Sequence, residues 1–257
     1  MTTTTLTILV TALGSILLEC LLLVRGFQNK MLSRYPIFYT YIAVVLVETI
    51  VLTPLYFFRS QSQYEFLYWI ALFFAVIVGS LIVLEIYRIA LRGYPGTSRM
   101  ARNALFFIFA LATAKALVYN ADGTLAWLRH VPAELERHLR IVQAFAIVAI
   151  VAVLLIYVIP INRNLKGILL GYSLFVGCSV VDLSLVAYFG KAFDRIWLIV
   201  QPFSYCFFLL IWVVALWSAA PEPVAAAPSE TNYTNLSSGT SRELAKLNFD
   251  LRKAPRR

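Results

Sequence analysis

The 257-residue chain is 61% apolar and only 14% charged, with a formal net charge of +9. Soluble domains sit near half apolar and a quarter charged, and a mean hydropathy of +0.79 leaves too little polar surface to coat a water-soluble globule. That balance excludes a soluble enzyme, a disordered regulator and a disulfide scaffold, and it predicts a polytopic membrane protein.

A membrane-crossing helix needs about 20 predominantly apolar residues. Seven stretches meet or approach that length: Leu6–Val24, Ile37–Phe58, Phe66–Ile86, Ala104–Tyr119, Ile141–Ile159, Ile168–Phe189 and Ile196–Ser218. The fourth is the weakest, because Lys115 interrupts it. Gly26, Pro36, the run Gly93-Tyr94-Pro95-Gly96, Asp122-Gly123, Pro132, Pro160 and Gly190 punctuate the gaps. Period-2 patterns are absent, which disfavours a β-barrel. The expected fold is an all-α membrane protein, a seven-transmembrane helix bundle over residues 1–218 with a tail over 219–257. Met1–Cys20 lacks a charged leader, and Glu19 stands where a lipoprotein cleavage site needs a small residue. The segment therefore reads as a retained first span.

Lysine and arginine bias sets the expected orientation. The loops after the first, third and fifth spans carry Arg25, Lys30, Arg34, Arg88, Arg92, Arg99, Arg102, Arg163 and Lys166, and no acid. The opposite loops mix basic and acidic residues nearly evenly. The basic set is expected to face the cytoplasm, giving N-out, C-in topology in a bacterial inner membrane. It also favours anionic lipid headgroups at that face. The charge is spread over short loops and forms no domain, so nucleic acid is not an expected partner.

Two parts are expected to leave the bilayer. Pro132 suits the first helical position, so the fifth helix should start there and project outward from the loop 120–140. Glu134/His138 and Glu136/Arg140 have i,i+4 spacing and would support those exposed turns. In the tail, Pro221, Pro223 and Pro228 followed by Ser, Thr and Asn read as a flexible linker. Thr240 and Glu243 have capping-box spacing ahead of Leu244, Leu247 and Leu251. This predicts a largely disordered tail, with a short amphipathic helix over 241–251 as the alternative to full disorder.

Ionisable groups inside the spans are the main candidates for chemistry: Glu19, Glu48, Glu85, Lys115 and Asp182. Each costs about 2.5–3.5 kcal/mol at a helix centre, so each should face protein or water. At 1.5 Å per residue, Glu48, Lys115 and Asp182 fall at about 17, 18 and 22 Å from the inner end. Lys115 is therefore expected to meet Glu48 or Asp182, either as a packing pair or as a solute or proton path. Glu19 and Glu85 are expected within reach of Arg25 and Arg88. Gln143, Gln201, Tyr205 and Asn120 would line an outward-facing pocket near them.

No cofactor or metal is expected. The two histidines, His130 and His138, lie outside the spans, and the last span has no lysine for retinal. Phosphate-loop, zinc-protease and nucleophile-elbow motifs are absent. Cys20, Cys178 and Cys206 read as packing residues. Gly167 and Gly171 have the spacing for close helix approach, within the bundle in preference to a dimer.

Tyr68-Trp69, the run Val83-Leu84-Glu85-Ile86-Tyr87-Arg88 and Tyr94-Pro95 resemble a family of small uncharacterised bacterial seven-helix membrane proteins of the acidobacterial kind. More loosely, seven spans with N-out, C-in topology are similar to the membrane sensor modules of histidine kinases. After the seventh span, however, stand about forty residues and no kinase domain. Neither resemblance implies a ligand or catalytic residue.

The expected function is a non-catalytic, sensor-like or accessory membrane protein. An outer pocket would take a small ligand or lipid, and the basic inner face and tail would contact a protein partner. The rivals are a small-solute or proton-coupled transporter using Glu48, Lys115 and Asp182, and a structural subunit of a membrane complex. An odd span count without internal similarity argues against a transporter.

Overall fold

The computed structural model of the protein describes residues 3–58, 61–119, 127–189 and 191–221. Every regular element among them is a helix: α1 (Thr3–Gln28), α2 (Met31–Arg34), α3 (Pro36–Phe58), α4 (Gln61–Ala90), α5 (Pro95–Tyr119), α6 (Trp127–Ile156), α7 (Arg163–Phe189) and α8 (Lys191–Ala215). Five helices are long and apolar enough to cross a membrane, over Leu9–Gln28, Pro36–Tyr56, Gln63–Ala90, Leu135–Ile156 and Arg163–Asp182, and Val200–Ala215 is a shorter apolar helix. Large apolar side chains such as Leu17, Phe145, Val148 and Leu155 are exposed on their outer faces. In water such a surface would aggregate; in a bilayer it meets acyl chains. The chain is an α-helical, multi-pass membrane protein.

The ends of the helices follow local chemistry. Pro36 opens α3, where its missing N–H costs nothing. Asn162 caps α7 by accepting the Leu165 N–H at 2.7 Å. Lys30 takes a left-handed conformation with φ of 54° between α1 and α2. Val158 does the same after α6, with φ of 49°.

Helix neighbours define a ring. α1 packs on α3 and α8, α3 on α4, α4 on α6, α6 on α7 and α7 on α8. α5 lies outside this ring against α4 and α6. Its peripheral position suits the least apolar of the seven long helices.

Two expected boundaries shift. α6 begins at Trp127, five residues before Pro132. It ends at Ile156, where the left-handed Val158 closes the turn and the Ile159 N–H donates to the Leu154 carbonyl at 3.1 Å. The α7–α8 seam follows the glycine spacing: a methyl at Gly167 would strike Ala215, and one at Gly171 would strike the Trp212 indole. The expected contact is therefore within the bundle. The segment 241–251, Asn120 and the tail beyond 221 lie outside the described residues.

Candidate functional site

The ring encloses a layer of polar side chains about midway along its helices. Arg140 on α6 is its cation, and only 5% of the residue is exposed. It donates to Gln143 Oε1 at 3.3 Å and to Glu136 Oε1 at 3.4 Å. Its guanidinium also lies 4.5 Å from the centre of the Phe175 ring on α7, a cation–π contact. Gln143 is fully buried and donates from Nε2 to Ser80 Oγ on α4 at 2.8 Å. Tyr172 on α7 donates its hydroxyl to the Gly79 carbonyl beside it.

The second half of the layer belongs to α1, α3 and α8. Glu19 has no exposed surface, and Oε1 accepts the Tyr205 hydroxyl at 2.7 Å. Phe175 on α7 connects the halves: besides the Arg140 guanidinium it meets the rings of Tyr172 and of Tyr41 on α3, and its centroid lies 6.4 Å from that of Tyr205. Two polar atoms in this layer, Arg140 Nε and Glu19 Oε2, are buried without a hydrogen-bond partner among the described residues. A buried donor or acceptor left unmatched costs about 1–3 kcal/mol. The layer has polar capacity that its own side chains do not use.

The candidate residues distribute unevenly. Gln143 and Tyr205 are in the layer, each with a buried partner. Glu48 is half-buried on α3 at its edge. Asp182 is half-buried on α7. Gln201 is exposed on α8, and Lys115 is exposed on α5. α5 touches neither α3 nor α7, so the expected pairing of Lys115 with Glu48 or Asp182 does not form. The error came from matching depth alone, because α4 and α6 stand between α5 and the other two helices.

Two further expectations change. Glu85 does meet Arg88, at 3.7 Å. Glu19 instead turns inward to Tyr205, while Arg25 lies 4.1 Å from the centre of the Trp217 ring. The Glu136–Arg140 pair forms, but its arginine is buried inside the bundle and does not support an exposed turn. Glu134 has a side chain outside the described set.

Arg140 was the residue that sequence reasoning missed. Its charge ends the apolar window at Ile141, so the sequence places it on an exposed helical turn outside the bilayer. The signal lay in the buried stripe Leu135, Leu139, Gln143, Ile147, Ile150 and Leu154, which continues helical spacing above Ile141 and carries Arg140 on its flank.

A second cluster gathers where α8 ends. Asn164 is fully buried and donates to the Ala215 and Ser218 carbonyls at 3.1 and 2.9 Å. Its Oδ1 accepts the Ala220 N–H at 2.6 Å. Arg34 donates to the Ala220 carbonyl at 2.9 Å, and Asn29 to the Trp217 carbonyl at 3.2 Å. Nearby, Tyr35 and Asn162 share a hydrogen bond at 3.1 Å. The carbonyl at the end of α8 and those of the segment just after it are thus matched by side chains from α7 and from the α1–α3 connection. No cluster of three His, Cys, Asp or Glu side chains able to hold a metal exists among the described residues.

Compared with protein-family models, curated proteins and solved structures, the chain matches none.

Proposed function

We propose that the protein is a non-catalytic, sensor-like seven-helix membrane protein of a bacterial inner membrane, N-out and C-in, which acts through a protein partner. The observation that carries this reading is the double attachment of α8. Tyr205, near its middle, holds Glu19 in the polar layer. Asn164 holds the Ala215 carbonyl at its end, and Arg34 and Asn29 hold the Ala220 and Trp217 carbonyls just beyond. About 15 Å of rigid helix separates the two. A ligand or lipid group that competes for Glu19 or Tyr205 would thus shift the end from which residues 222–257 continue. The basic residues Arg25, Lys30, Arg34, Arg163 and Lys166 lie on or between the ends of α1, α2 and α7. They supply a surface for anionic lipid headgroups and for an acidic partner.

Buried polar groups at membrane depth are expensive, which favours a functional layer over simple packing. A transporter reading loses its charged triad, because Lys115 stands apart from Glu48 and Asp182.

The test is a spin label at Ser218 in the full chain, reconstituted in lipid nanodiscs. Tyr205→Phe removes the bond to Glu19 and keeps the ring. The sensor reading expects a changed label spectrum, with the bundle still folded. An unchanged spectrum would show that the layer and the helix end are uncoupled, and the reading would fail. Solute flux in proteoliposomes that depends on Glu48 would favour the transporter.

A further inference from the structure

Glu48 has a setting that the polar layer does not explain. It lines a cavity of about 550 Å³ between α3 and α4, whose other walls include Val44, Val47, Val51, Ala71 and Phe74. Thr40 is the cavity's other polar side chain, and its hydroxyl is committed to the Pro36 carbonyl at 2.8 Å. Glu48 makes no hydrogen bond or ion pair among the described residues. Val47, Val51, Leu67 and Phe74 are exposed, so the cavity opens sideways, towards the acyl chains of a surrounding bilayer.

Charge decides what fits. Among the described residues, Glu48 is the only ionisable side chain in the cavity's lining, and no basic residue lines it. An anionic amphiphile would be repelled, and a neutral one would leave the carboxyl without a counter-charge. A cation supplies that counter-charge. Towards the inner end, Thr40 to Glu48 spans about 12 Å of apolar wall at 1.5 Å per residue. That length suits the alkyl chain of a single-chain lipid.

We propose that the α3/α4 groove is a binding site for a single-chain lipophilic amine, with its ammonium group against Glu48 and its alkyl chain along the groove toward Thr40. The site does not depend on coupling through α8 and would be occupied whether or not the tail engages a partner.

The probe is radiolabelled dodecylamine, equilibrated with the full chain in nanodiscs of neutral lipid and counted against empty nanodiscs. Dodecanol and dodecanoate serve as matched controls. Saturable binding of one dodecylamine per chain is expected, with little excess of either control. Glu48→Gln should weaken dodecylamine at least tenfold and leave dodecanol unchanged. Val47→Trp fills the groove from its exposed side without touching the carboxyl and should also abolish binding, so the test stands even if Glu48→Gln fails to fold. The proposal is overturned if dodecanol binds as well as dodecylamine, since the groove would then hold any lipid chain. It is equally overturned if a folded Glu48→Gln or Val47→Trp protein binds the amine like the parent, or if no saturable binding occurs. The readout is binding alone, so its failure leaves the sensor reading to the spin-label experiment.

Discussion

Glu85 on α4 accepts the backbone N–H of Phe38 at 2.9 Å, and its second oxygen accepts that of Ile37 at 3.0 Å. One buried carboxylate thus caps the start of a helix that begins 49 residues earlier. Pro36 leaves α3 without a capping hydroxyl or amide of its own, and the carboxylate also meets the positive end of the helix dipole. Arg88 sits 3.7 Å away and is half exposed, so it adds little. Glu85→Ala is expected to lower unfolding stability in micelles by about 2–4 kcal/mol, because two charge-assisted bonds are lost. Glu85→Gln should cost roughly half as much, and Arg88→Ala under about 0.5 kcal/mol. An Arg88 effect equal to that of Glu85 would show that the carboxylate acts through the ion pair within α4 and that the cap on α3 contributes little.

Arg140 gives a second prediction. Its planar guanidinium serves Gln143, Glu136 and the Phe175 face together. Lysine keeps the charge but cannot span that set. Arg140→Lys should therefore destabilise nearly as much as Arg140→Met, by about 2–4 kcal/mol on the scale of broken buried pairs. Recovery of parental stability by lysine in thermal unfolding would mean that charge alone matters here.

How much of this was legible in sequence depends on what each residue answers to. Lipid-length apolar runs are set by the bilayer, so the long helices could be read one at a time. Gly167 and Gly171 could be read too, because only a close neighbour explains two small residues one turn apart; Ala215 and Trp212 are that neighbour. Pairing across helices could not be read. Glu85 and Asn164 answer to backbone groups of other segments, and nothing local marks a side chain that serves a distant helix end. Lys115 failed for the same reason: depth along a helix is local, but the order of helices around the ring is not.

Val158 carries a prediction of the opposite sign. A β-branched residue in the left-handed region is costly, and this helix-end position usually belongs to glycine. Val158→Gly relieves that cost, although glycine's greater freedom in the unfolded chain offsets part of it. A gain of about 0.5–1 kcal/mol is expected, since the left-handed conformation costs about 1–2 kcal/mol per residue. The side chain is exposed, so little packing is lost. A lower unfolding midpoint for Val158→Gly would show that the valine has an apolar contact worth more than its backbone cost.

The end of α8 supplies the last prediction, and two truncations isolate it. A chain cut after Ser218 loses the Ala220 N–H that donates to Asn164 and the Ala220 carbonyl that accepts from Arg34. A chain cut after Glu222 retains both, and both chains lack the tail. The shorter chain should be less stable by about 1–3 kcal/mol, the usual worth of two hydrogen bonds of which one is charged. Asn164→Ala should weaken the longer chain further, because it also strips the Ala215 and Ser218 carbonyls of their donor. In the shorter chain the same substitution should cost less, since the bond to Ala220 is already gone. That difference is a coupling energy, and a double-mutant cycle of the four proteins reads it directly. If Asn164→Ala costs the same in both chains, Asn164 acts only on the last turn of α8. The segment after Ser218 would then be held by Arg34 alone, and Asn164 could not pass a shift of α8 on to it.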